Sequence, residues 1–123
     1  NFGHTFAHAY EASLNFSKVL NHGEAVILGM KSALEFSLTK KFITYKEFES
    51  VMNHLNNSLF PISIKNYFTI KKVNQIVSFM VRDKKNNSKN IKLMLIKRIG
   101  GPIIEKEFSE DTVKLFLRKK ITL

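Results

Sequence analysis

The apolar positions of this chain follow helical spacing almost throughout and switch to alternation once, near its end. At about 100° per residue, Asn1, His4, His8 and Glu11 fall in one narrow stripe, with Phe2, Phe6, Ala9 and Ser13 on the opposite side. This predicts a helix from Asn1 to about Ser13, followed by a connection from Leu14 to Asn21. From His22 to about Leu38 the chain is apolar nearly all round, with Ala25, Val26, Ile27, Leu28, Met30, Ala33, Leu34 and Phe36, which predicts a helix buried on most sides. Gly29 and Ala33 share the face of His22, and small residues there let another backbone come close.

Thr44 followed by Glu47 is a capping box that opens a helix to about Asn56, with Phe48, Val51, Met52 and Leu55 inward. Phe60-Pro61 ends that unit, and Thr69 is expected to cap a helix to about Val81 with Val73, Ile76, Val77 and Met80 as its core stripe. Arg82 to Asn90 reads as a polar loop. Ile91 to Ile99 then alternates weakly, Gly100-Gly101-Pro102 breaks it, and Ile103 to Phe108 follows, which predicts a β-hairpin. Ser109 with Glu110 and Asp111 starts a last helix that Arg118, Lys119 and Lys120 close, charges that suit the helix dipole at each end. The expected fold class is mainly α, a helical domain over 1–123 with one small hairpin.

Composition narrows the function classes. At 123 residues and 44% hydrophobic content the chain suits one globular domain. It has no cysteine, so disulfides and thiolate zinc sites are excluded. No apolar run approaches the roughly 18 residues of a membrane span, and no signal peptide opens the chain. Lacking an initiator Met and beginning inside a motif, it is expected to be a piece of a larger protein. The net charge of +10 raises nucleic-acid binding. However, Arg occurs only at Arg82, Arg98 and Arg118, and Lys is spread along the chain. That distribution fits compositional drift better than a surface built for bidentate contacts.

His4 and His8 at i, i+4 bring two imidazoles to one face and could chelate a divalent metal, although that spacing alone is a weak signal. His22 opens a separate helix, and His54 in its polar surroundings reads as a solvated or partly buried helix residue with no site role. Glu11 and Glu24 are local carboxylate candidates whose bland reading is outer hydrogen bonding or solvation.

The run Asn1-Phe2-Gly3-His4-Thr5-Phe6-Ala7-His8-Ala9-Tyr10-Glu11 resembles the N-x-G-H-T-F-G-H-A-x-E motif of the 3-dehydroquinate synthase family, within the sugar-phosphate cyclases. His22-Gly23-Glu24-Ala25-Val26 with Gly29-Met30 is similar to that family's H-G-E-A-V-x-x-G-M, and Asp83-Lys84-Lys85 is similar to its D-K-K loop. The resemblance runs through the chain in order and covers only the family's C-terminal, mostly helical domain. It implies a missing N-terminal domain that binds most of the NAD, and a divalent metal, zinc or cobalt. By the resemblance His4 and His22 ligate the metal, with a third ligand, a Glu, lying upstream of this segment. His8 would move protons on the substrate. Asn1 and a Lys of the D-K-K loop, Lys84 or else Lys85, would contact the anionic substrate together with the histidines. Ala7 stands where the family usually has Gly, and the interval between the first two motifs is slightly long, which a loop absorbs cheaply.

The activity so implied is that of a carbon–oxygen lyase of the shikimate pathway. It would convert 3-deoxy-D-arabino-heptulosonate 7-phosphate (DAHP) to 3-dehydroquinate and phosphate through transient oxidation by NAD, elimination, re-reduction and aldol closure. A cytoplasmic homodimer is expected for the whole protein, and the fragment alone is expected to be inactive. The rival readings are another sugar-phosphate cyclase, a metal-dependent polyol dehydrogenase of the same superfamily, a basic nucleic-acid-binding module, or a degenerate domain with a structural role only.

Overall fold

A computed structural model describes residues 2–58, 62–81 and 90–123. Five helices and one hairpin follow in order: α1 (His4–Ser13), α2 (His22–Thr39), α3 (Tyr45–Ser58), α4 (Val73–Met80), β1 (Asn90–Ile96), β2 (Ile103–Ser109) and α5 (Glu110–Thr122). Short 3-10 turns at Ile64–Asn66 and Ile70–Lys72 lead into α4. The expected helical domain with a small hairpin is what forms.

The main core gathers the apolar faces of α1, α2, α4 and α5 over the inner face of β1. Phe6, Ala9 and Tyr10 enter it from α1, Leu28 and Phe36 from α2, Ile76, Val77 and Met80 from α4, and Val113 and Leu117 from α5. A second, smaller cluster of Leu34, Ile43 and Met52 seats α3. The hairpin is antiparallel, with Ile91 opposite Phe108 and Ile96 opposite Ile103. Ile91, Leu93 and Leu95 are buried on its one covered face, which accounts for the weak alternation in the sequence. Tyr10 and Ser32 bridge α1 and α2 by a buried hydroxyl pair at 2.7 Å. Burial pushes the Tyr10 phenol far above its usual range, against a lowering by its bond to Ser32.

The caps differ in kind. Thr44 and Glu47 form the expected capping box, and the Ile99 backbone N–H also donates to Glu47 Oε2 at 3.1 Å, tying the hairpin turn to α3. The Thr44 and Ile99 N–H groups hold the Glu47 carboxyl below the usual glutamate range. Ser109 caps α5 by accepting from the Thr112 N–H. Thr69 falls short of the expectation. It precedes the 3-10 turn Ile70–Lys72 and makes no side-chain cap bond, and α4 starts only at Val73, the first residue of the buried stripe. A marginal helix is extended by tertiary packing rather than by a cap alone.

Helix α2 is less enclosed than its composition suggests. Val26 is exposed, and Ile27 and Met30 are only half-buried. Its N-terminus carries a capping box that the sequence reading passed over. Asn21 Oδ1 accepts from the Glu24 N–H at 2.8 Å and Glu24 Oε1 accepts from the Asn21 N–H at 3.0 Å. Asn21→Ala is expected to cost about 1 kcal/mol, read as a lower denaturation midpoint. An unchanged midpoint would show that the box contributes nothing to stability.

Candidate functional site

Helix α1 starts at His4, with Gly3 as its N-cap. Gly3 takes φ 77°, with no side-chain cap, and the Ala7 N–H returns to its carbonyl at 2.9 Å. The expected four-residue stripe therefore keeps three members on the helix, His4, His8 and Glu11, while Asn1 lies outside the described residues. Gly3 is required there on two counts. Its backbone is left-handed, and a Cβ would stand 2.6 Å from the carbonyl carbon of Gly29. Gly29 is required in turn, since a Cβ on it would meet the Gly3 oxygen at 2.5 Å and the Ala7 Cβ at 2.7 Å. Small residues on the His22 face thus let the start of α1 press against α2, as the sequence suggested.

That crossing sets the first residues of both helices side by side. His4, His8, Glu11 and His22 line one cavity of about 110 Å³. Gly3 and Ala7 lie along its α1 side, and Phe2 and Val26 add apolar surface. His4 is exposed, His8 half-buried, and the His22 side chain is 79% exposed. The imidazoles of His4 and His8 lie nearly parallel, 13° apart in plane and 6.2 Å between centroids. His8 also has the Phe16 ring at 6.2 Å between centroids, tilted by 57°. Phe16 and its neighbour Asn15 hold φ of 55° and 52°, and Phe16 stays 65% exposed. A bulky residue in the left-handed region is strained, so the loop after α1 is bent against local preference where it sets an aromatic ring beside His8. Nothing in the sequence pattern marked Phe16.

The two open carboxylates separate. Glu24 caps α2, and the Tyr67 hydroxyl reaches its Oε2 at 3.5 Å. Desolvation first, and then the Glu24 charge, raises the Tyr67 phenol. Glu11 instead faces the cavity, with Oε2 at 3.0 Å from His22 Nδ1. His54 sits exposed on α3, away from the cavity. Lys84 and Lys85 lie outside the described residues. Among the described residues, no group of three or more His, Cys, Asp or Glu is gathered closely enough to hold a metal by itself. His4 and His22, two nitrogen donors on one cavity with an open side, fit part of a catalytic metal site, which ordinarily takes three protein ligands.

Residues 1–86 match the family described as 3-dehydroquinate synthase C-terminal. The chain belongs to that family. Among curated relatives it is 56% identical over 122 residues to 3-dehydroquinate synthase of Pelagibacter ubique, covering 99% of this chain and 33% of the relative. It is 39% identical over 122 residues to the enzyme of Endomicrobium trichonymphae, covering 99% of this chain and 32% of that one. The enzyme of Zymomonas mobilis is 32% identical over 117 residues, with 95% of this chain and 31% of the relative covered. The chain therefore spans about a third of the length of the 3-dehydroquinate synthases it matches. In fold it resembles 2-deoxy-scyllo-inosose synthase, solved in complex with carbaglucose-6-phosphate, NAD+ and Co2+, at a TM-score of 0.70 and 21% identity over 97% of this chain and 32% of that one. Among the described residues, no helix is long and apolar enough to cross a membrane.

Proposed function

We propose that this domain supplies the metal- and substrate-holding wall of a 3-dehydroquinate synthase that converts DAHP to 3-dehydroquinate and phosphate. The observation that carries the reading is the convergence of His4, His8 and His22, from two helices, on one cavity. His4 and His22 would hold a divalent metal, zinc or cobalt, with a third ligand from the part of the protein outside this chain. That neighbouring domain would also bind most of the NAD. A synthase of the same fold is known with NAD+ and Co2+, which supports both cofactors. When bound, the metal would polarise oxygens of the substrate, and NAD would supply the reversible oxidation.

The residues of this chain have their own tasks. His8 is not a proposed ligand. With the His4 and Phe16 rings beside it, it can take a proton from the substrate and return it, as a positioned imidazole does. Asn1 and Lys84, or Lys85 beside it, would contact the anionic substrate, the lysine as a compact point charge. Two proposed metal donors, where a catalytic site ordinarily takes three protein ligands, agree with a site completed by another domain. The whole protein is read as a phosphate-eliminating carbon–oxygen lyase, cytoplasmic and homodimeric.

Phosphate release tests the assignment. The full-length protein, with NAD and Co2+, is expected to release phosphate from DAHP, and the 123-residue chain alone to release none. Release by the isolated chain would show that the site is complete without its neighbour. The likeness to 2-deoxy-scyllo-inosose synthase supports a second reading as another sugar-phosphate cyclase. Turnover of glucose 6-phosphate but not DAHP by the full-length protein would decide for it.

A further inference from the structure

Glu11 is the one member of the α1 stripe for which the proposed reaction has no task. It projects from the same helix as His4 and His8, yet its carboxylate reaches across to α2 and lies 3.0 Å from His22 Nδ1. The Glu11 side chain is largely buried, 14% exposed, whereas that of His22 is 79% exposed. A carboxylate offers only acceptors, so the bond requires the hydrogen on Nδ1. A neutral imidazole with its hydrogen there presents its lone pair at Nε2.

We propose that Glu11 is the positioning residue for His22. By accepting the Nδ1 hydrogen it selects the tautomer and ring orientation that leave Nε2 free for the divalent metal. The proposal rests on His22 being a metal ligand. The histidine most in need of such a partner is this one. It stands exposed at the first position of α2, and Glu11 holds it from the neighbouring helix. Glu11 can do so because α1 and α2 meet with no side chain between Gly3 and Gly29. Metal-bound histidines are commonly oriented by a carboxylate on the other ring nitrogen, and losing that partner weakens metal binding roughly ten- to hundredfold. One helix would thus furnish a ligand in His4, a proton carrier in His8, and the group that aims a ligand of the next helix.

The test uses the full-length protein, stripped of metal and titrated with Co2+ against a competing chelator, with the visible Co2+ spectrum and the melting temperature of the metal-free form recorded. Glu11→Ala is expected to weaken Co2+ binding roughly ten- to hundredfold and to change the Co2+ spectrum, while the metal-free melting temperature stays near wild type. Glu11→Gln, which keeps an acceptor oxygen, is expected to recover most of the loss. His22→Ala is the control for the ligand assignment. Loss of binding in His22→Ala with wild-type binding in Glu11→Ala would overturn the proposal and leave His22 a ligand. Wild-type binding in His22→Ala would overturn the ligand reading itself, and the proposal with it. Weakened binding in Glu11→Ala that falls in step with its melting temperature, and that glutamine does not restore, would make Glu11 a structural residue and overturn the proposal.

Discussion

Full-length enzyme carrying His22→Ala is expected to lose its divalent metal and all measurable turnover, whereas His8→Ala keeps the metal and slows by about 10²–10⁴-fold. The contrast follows from placement. His22 is mostly exposed at the start of α2, in contact with Glu11, so removing it takes a donor nitrogen from the cavity and little packing from the fold. His8, on α1, is half-buried with the His4 and Phe16 rings beside it. Its loss leaves His4 and His22 in place and removes the group proposed to carry protons. Metal content after dialysis, measured beside the steady-state rate, checks both expectations. Equal metal loss in the two variants would show the ligand assignment to be wrong.

Gly29→Ala is expected to have the largest effect on stability, about 3 kcal/mol. The new methyl would stand 2.5 Å from the Gly3 oxygen, 2.7 Å from the Ala7 Cβ and 2.8 Å from the Ala7 nitrogen. Two of those atoms are backbone, and no rotamer change relieves them. The helices must separate, which should also break the bond between Glu11 and His22. Adding Ala7→Gly removes one of the three conflicts, so the double variant is expected to regain only part of the loss. Denaturant midpoints of wild type, single and double variants give the comparison. Full recovery in the double variant would place the whole conflict on the Ala7 methyl.

The sequence was most legible where packing and local chemistry agree. Val73, Ile76, Val77 and Met80 are all buried as their spacing implied, the box at Thr44 forms, and Ser109 starts the last helix by capping it. It was least legible where one overrules the other. Thr69 has a capping side chain, but Ile70 after it is 46% exposed. The α-helix waits for the first residue with core to contact. Gly3 turns left-handed at the start of α1, and α2 lies where a side chain on it would go. The Asn21–Glu24 box straddles the start of the H-G-E-A run, whose glutamate also reads as a carboxylate for the site. Within the site, the histidines were legible as residue types at recurring spacings. Glu11 was legible as a carboxylate for outer hydrogen bonding, but its pairing with His22 was not, because that partner lies on another helix and the pairing depends on how closely two glycines meet.

The left-handed backbone at Phe16 has a consequence for anyone engineering this domain. Exchanging a strained, largely exposed residue for glycine is a standard route to a sturdier protein, and Phe16 is an obvious place to try it. The same exchange would strip the aromatic partner from His8. Selection for heat resistance alone and selection for turnover would therefore pull this position in opposite directions.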